Sequence, residues 1–88
     1  LYARAKVYSK QRNYEQAIAH YMLIVEKYPE EIRADNALFE MAELYEQQLN
    51  DTAKAMELYE KIFLDYSNST FSIEARKRFR RLRGDNVN

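Results

Sequence analysis

The sequence predicts an all-α fold in which helix pairs stack one upon the next. Three observations carry that expectation. Backbone breakers are scarce, with one Gly and one Pro among 88 residues, which leaves few tight turns for a sheet-rich fold. Ala, Glu, Leu, Lys, Gln and Arg dominate, and all are helix formers. The chain also repeats itself. NYEQAIAHYMLIVEKYP (13–29) aligns with DTAKAMELYEKIFLDYS (51–67) at an offset of 38, so that Ala17, Ile18, Tyr21, Ile24, Val25 and Tyr28 meet Ala55, Met56, Tyr59, Ile62, Phe63 and Tyr66. LYARAKVY (1–8) aligns with LFEMAELY (38–45) at an offset of 37. The one-residue difference implies a longer turn around Gln48 to Asn50.

Each element follows from local pattern. Leu38, Ala42 and Tyr45 stand at i, i+4, i+7, one stripe of a helix, and Leu1, Ala5 and Tyr8 repeat it in the first unit. Ala55, Tyr59 and Ile62 stripe the second helix of the later unit, as Ala17, Tyr21 and Ile24 do in the earlier one. Asn13 followed by Gln16 reads as a capping box, and Asp51 as the equivalent cap. Pro29 biases Tyr28 away from helical geometry and ends that helix. The expected helices are 1–10, 14–28, 32–48, 52–65 and 70–83. Ala5 and Ala42 are small where the helices of a pair cross, and Tyr8, Tyr21, Tyr45 and Tyr59 fill the wider gaps. At 88 residues there is room for one small domain.

The spacing of Leu1, Ala5, Tyr8, Ala17, Tyr21 and Pro29, and of Leu38, Ala42, Tyr45, Ala55 and Tyr59, resembles the tetratricopeptide repeat. The resemblance implies a right-handed α-solenoid of about two units plus a C-terminal capping helix. Repeat one would span 1–29, repeat two 30–67 and the capping helix 68–84, with 85–88 a flexible tail. A period near 38 exceeds the usual 34 or so. That lengthened form is similar to repeats of bacterial cell-envelope proteins, including outer-membrane assembly lipoproteins and their coordinators, and implies a periplasmic or envelope setting. The opening at Leu1, within helical sequence, reads as the start of a C-terminal piece of a longer protein.

The resemblance also implies a non-catalytic scaffold that holds a protein segment in its concave groove. Tyr2, Lys6 and Ser9 of the first unit, and Phe39, Glu43 and Glu46 of the second, are then the groove-lining candidates. For Tyr2 and Phe39 the alternative is simple packing between neighbouring first helices. The Lys and Asn pattern with which some family members hold C-terminal carboxylates is absent from these positions.

Composition excludes other chemistries. There is no Cys, so no disulfide framework and no thiolate metal site. His20 is the only His and lies off the apolar stripe, which reads as an exposed, inert residue. The only Gly is Gly84, so no glycine-rich phosphate loop exists. Glu40, Glu43 and Glu46 share one helical face without any sign of a pocket to shift their pKa values. No enzyme activity, metal or cofactor is expected. The longest wholly apolar run, Met22 to Val25, is far too short to span a bilayer.

Net charge is +0 but unevenly spread. Residues 26–65 hold four basic and eleven acidic side chains, whereas 74–85 hold six basic and two acidic. In EARKRFRRLRG (74–84), Ala75, Phe79 and Leu82 continue the inward stripe, while Arg76, Arg80 and Arg83 stand where Leu38, Ala42 and Tyr45 stood. Arginine there is unfit to receive another apolar helix, which is the pattern of a solvated terminal cap. Gly84 fits the C-cap. The competing expectation is contact with nucleic acid or an anionic surface through Arg76, Lys77, Arg78, Arg80, Arg81 and Arg83. A third is homo-oligomerisation, the acidic middle of one copy meeting the basic end of another.

Overall fold

The computed structural model describes residues 1–30 and 32–84. They form five helices, α1 Tyr2–Lys10, α2 Tyr14–Lys27, α3 Ile32–Gln47, α4 Thr52–Asp65 and α5 Ser72–Arg83, with no strand among the described residues. The expected tail at 85–88 lies outside them. Each helix packs against the next in chain order. The body measures 37 × 27 × 16 Å, and its short dimension fits two helix layers with axes roughly 8–10 Å apart. Ala5, Ala17, Ala42 and Ala55 are all 0% exposed, as small residues at close helix crossings should be. Tyr21 and Tyr59 are likewise sealed in the core, whereas Tyr8 and Tyr45 are only half-buried and pack against its edge.

The two intra-unit turns share one device. The Arg12 N–H donates to Ser9 O (3.0 Å) and the Asn13 N–H to Tyr8 O (2.8 Å), the two bonds of a Schellman motif. That motif needs a left-handed residue, and Arg12 supplies it at φ 63°. In the second unit Asn50, 38 residues later, is left-handed at φ 53° and the Asp51 N–H reaches Tyr45 O (2.8 Å), one residue further back than its counterpart. The extra residue of this turn thus lies within a hydrogen-bonded loop one residue wider. An Arg in left-handed geometry costs about 1 kcal/mol that Gly avoids. Arg12→Gly is therefore expected to raise stability by roughly that amount in urea titration; an unchanged midpoint would show that the turn is not strained.

The turn also explains a difference from expectation. Asn13 makes no side-chain cap bond, and no box with Gln16 forms. The N–H that Gln16 would have served is already given to Tyr8 O. Asp51 does cap, its Oδ1 accepting the Lys54 N–H at 3.1 Å. Pro29 also proves unnecessary for ending a helix. Tyr28 (φ −133°, ψ 54°) precedes Pro29, yet Tyr66 (φ −127°, ψ 50°) leaves α4 in the same geometry before Ser67.

The units are stitched at their loops. The Tyr66 hydroxyl donates to the Pro29 carbonyl (2.7 Å), and Ser69 Oγ donates to Asp35 Oδ2. Ser69 Oγ also accepts the Phe71 N–H (3.0 Å). This local turn holds Thr70 and Phe71 out of the helix, so α5 starts at Ser72 rather than at 70. Its Ala75 is fully buried and Phe79 and Leu82 half-buried, while Arg76, Arg80 and Arg83 are exposed. Gly84 closes it in left-handed geometry (φ 92°).

Candidate functional site

The alternate helices α1, α3 and α5 touch along one face, and the contacts come in two sets. Where α1 meets α3, the Tyr2 ring stands edge-on to Tyr21 (centroids 5.9 Å apart, planes at 65°). Arg33 lies over Tyr2 at 4.7 Å. Lys6 Nζ is 3.7 Å from Glu40 Oε2, and the Tyr21 hydroxyl donates to that same oxygen at 3.1 Å. Where α3 meets α5, Phe39 stands edge-on to Tyr59 (5.8 Å, 66°) and Arg78 lies over Phe39 at 4.8 Å. Arg78 Nη1 pairs with Glu43 Oε2 at 2.8 Å and donates to the Tyr59 hydroxyl at 3.2 Å. Its Nε pairs with Glu74 at 3.1 Å. The Tyr59 hydroxyl donates to Glu46 Oε1 at 2.8 Å, and Arg81 pairs with Glu46 Oε2.

The second set repeats the first with its charges exchanged. Tyr2 and Phe39 are equivalent positions, as are Tyr21 and Tyr59. Lys6 is equivalent to Glu43, and Glu40 to Arg78. One inter-unit ion pair is therefore built twice, first as Lys6–Glu40 and then as Glu43–Arg78. The buried tyrosine tolerates either polarity because a phenol both donates and accepts. It donates to a carboxylate at Glu40 and accepts from a guanidinium at Arg78. The face therefore runs basic, acidic, basic across α1, α3 and α5.

Burial pushes the Tyr21 phenol well above its ordinary range, and the Glu40 carboxylate pushes it further. Burial also raises Tyr59, where the Arg78 hydrogen bond opposes and the Glu46 bond assists. Burial raises Tyr66 too, against the nearby Lys61. A phenol raised on folding is protonated in both states below the unfolded pKa, so its contribution to stability is complete there. Above about 10 the unfolded chain releases protons that the folded one retains, and stability falls as pH rises. We expect alkaline unfolding to coincide with ionisation of these three tyrosines; if their tyrosinate absorbance develops while helicity stays intact, the phenols are not held by the fold.

The groove candidates thus meet different fates. Phe39 is 8% exposed, between Tyr59 and Phe71 and beneath Arg78, so an arriving molecule meets the guanidinium rather than the ring. Tyr2, Lys6 and Ser9 remain half-exposed on α1. Glu43 and Glu46 are held by Arg78 and Arg81, which brings together two groups of candidates that the sequence reading had kept apart. Of the other basic candidates, Arg76 lies over Phe63 at 4.7 Å and Arg83 over Phe79 at 5.1 Å, and Lys77 and Arg80 are exposed. Tyr21, Tyr59 and Arg33 were missed as members of this face, and Glu40, expected on one helical face with Glu43 and Glu46, was not among the groove candidates. The signal was present in the repeat alignment, whose columns Lys6/Glu43 and Glu40/Arg78 alternate in sign. His20 is not free-standing: it is half-buried, tilted against Tyr8 at 5.1 Å, with Nδ1 2.9 Å from Gln16 O. Among the described residues no group of three or more His, Cys, Asp or Glu side chains could hold a metal ion, and no helix is long and apolar enough to cross a membrane.

The described geometry, helix pairs stacked through repeated inter-unit contacts, agrees with a comparison of the sequence with family models. The model for the tetratricopeptide repeat matches residues 1–31 and again 36–69. No curated protein and no solved structure matches the chain. Repeats of this kind generally mediate protein–protein interaction and form non-catalytic scaffolds. With two matched repeats over most of its length, each built of one antiparallel helix pair, the chain belongs to the tetratricopeptide repeat family.

Proposed function

We propose that the protein is an adaptor that holds a segment of a partner protein along the face formed by α1, α3 and α5. The observation that carries this reading is the uneven commitment of that face. On the α3–α5 side the charges are paired with one another and the aromatic ring is covered. On the α1 side Tyr2 is half-exposed, and Lys6 keeps 45% of its side-chain surface beside the exposed Arg33. A partner segment placing an apolar residue on Tyr2 and a carboxylate between Lys6 and Arg33 would be served by these groups. The reading narrows the candidate contacts to Tyr2, Lys6 and Ser9, with Arg33 added. The lengthened period supports a bacterial cell-envelope setting, which fractionation of periplasm from cytosol checks.

A displayed random-peptide library selected on the immobilised protein tests the binding face. Peptides enriched on the wild type are expected to lose about ten-fold or more in affinity for Tyr2→Ala/Lys6→Ala, a loss of about 1.4 kcal/mol. Helicity should be unchanged. Peptides that bind the variant as tightly would place the binding face elsewhere.

A further inference from the structure

The outer face of α5 occupies a position that elsewhere in the fold is a seat for a helix. Arg76, Arg80 and Arg83 stand 38 residues after Leu38, Ala42 and Tyr45, the stripe that packs where α4 closes its unit with α3, its first two residues buried and Tyr45 half-buried. On α3 that stripe is apolar, with Leu38 1% and Ala42 0% exposed. On α5 its counterpart is exposed and cationic. It is not merely polar, however. Ile73, one turn ahead of Arg76 and Lys77 on the same face, is 73% exposed. Phe63 and Phe79 meet edge to face (5.4 Å, 77°) and are only half-buried, with the guanidinium of Arg76 over the first and that of Arg83 over the second. The outer face of α5 thus carries an exposed Ile as well as its cationic stripe, and two of its arginines roof half-buried rings.

We propose that this face is a second docking surface, the seat of an acidic amphipathic helix from a partner protein, laid on α5 as α4 lies on α3. The sign of the partner follows from the charges. Within the fold each strip of the α1, α3 and α5 series meets a strip of opposite sign, Lys6 against Glu40, then Glu43 and Glu46 against Arg78 and Arg81. The outer face of α5 carries Arg76, Lys77, Arg80 and Arg83, and the one carboxylate of the helix, Glu74, is already held by Arg78. The guanidinium of Arg76, laid over the Phe63 ring, presents edge N–H groups that suit a bidentate carboxylate. The apolar residues call for a matching apolar stripe, which a helix has and a nucleic-acid backbone lacks. A second copy is a poorer occupant. The exposed face of α4 mixes its acids with lysines, and Glu57 and Asp65 are already paired with Lys54 and Lys61.

The test uses the whole chain and three probes. The first is a helix-stapled peptide of the length of α4, 14 residues, with a Leu stripe flanked by Glu. The second replaces each Glu with Lys, and the third is a short DNA duplex. The acidic peptide is expected to bind about ten-fold or more tighter than the Lys peptide, with amide shifts centred on Ile73, Arg76 and Arg80. Arg76→Glu/Arg80→Glu should invert that preference. The wild-type comparison alone decides the matter should the variant fold poorly. Equal binding of both peptides, or of neither, overturns the proposal, as does tighter binding of the duplex. A doubled mass in sedimentation of the protein alone, abolished in Arg76→Glu/Arg80→Glu, would assign the seat to a second copy and overturn it as well. Because these residues lie outside the Tyr2–Lys6 face, failure here leaves the groove reading to its own test.

Discussion

Arg78→Glu is expected to cost about 3 kcal/mol, and adding Glu43→Lys is expected to restore at least half of that loss. The single change removes a guanidinium whose side chain is only 19% exposed and which joins Glu43, Glu74 and the Tyr59 hydroxyl. It then sets a third carboxylate beside two that have lost their partner. Breaking one side of a buried pair costs roughly 3–5 kcal/mol, and the partial exposure of Glu43 at 31% places this case at the lower end. In a domain of this size such a loss lowers the melting temperature by roughly 15 °C. The rescue is less intuitive. A swapped pair usually fails because surrounding groups were arranged for the original polarity. Here the fold already contains the swapped pair, since Lys6–Glu40 occupies the equivalent positions around the equivalent tyrosine. Glu43→Lys with Arg78→Glu copies that junction into the second unit, and the Tyr59 hydroxyl can donate to the new carboxylate as Tyr21 does to Glu40. Recovery stays incomplete because Glu74 would face a like charge one turn away. A thermal melt in which the double variant is no better than the single one would show that the two junctions are not interchangeable.

The helices were legible in the sequence because their information is local. Apolar spacing at i, i+4, i+7 and scarce breakers mark all five, and the two copies corroborate each other. Misreadings gathered at the ends, where one hydrogen bond decides. The Ser69 hydroxyl takes the Phe71 N–H and delays α5, and the Asn13 N–H is spent on Tyr8, so the expected capping box has nothing to satisfy. The candidate face was harder for a different reason. Side chains such as Glu43 and Arg78 lie 35 residues apart, so each reads alone as a solvated charge or a partner contact. Whether a charge faces a partner or its own neighbour is a tertiary fact. The repeat nevertheless carried a trace of it, because the columns Lys6/Glu43 and Glu40/Arg78 reverse sign together, which keeps the inter-unit pair opposite in charge at both junctions. For the Tyr2/Phe39 column the pattern leaves groove contact and simple packing both open, and the two members differ: Phe39 is sealed by Phe71 and Arg78, while Tyr2 stays half-exposed.

Tyr59→Ala is expected to cost about 4 kcal/mol, and Tyr45→Ala only about half as much. Sequence alone treats these tyrosines alike, as fillers of the gaps beside the alanine crossing. Burial separates them, since Tyr59 is 0% exposed and Tyr45 only half-buried at the edge of the core. Truncating a fully buried aromatic ring removes its transfer energy and leaves a cavity, together roughly 3–5 kcal/mol. At Tyr59 the cavity would open beneath Phe39 and strip both Arg78 and Glu46 of a partner. A domain this small has a total stability nearer 5 than 15 kcal/mol, so the variant should sit close to its unfolding midpoint without denaturant. Tyr59→Phe divides the effect: it keeps the ring and loses the hydroxyl, at about 1–2 kcal/mol. Guanidinium titrations followed by helicity measure all three. Equal losses at positions 45 and 59 would mean that the ring of Tyr59 adds nothing beyond an edge contact. A near-neutral Tyr59→Phe would mean that Glu46 and Arg78 are satisfied by Arg81, Glu43 and Glu74 alone. The expected order places the stability of the second unit in a single phenol, positioned where α3, α4 and α5 meet, and makes the sign of its neighbours secondary to its burial.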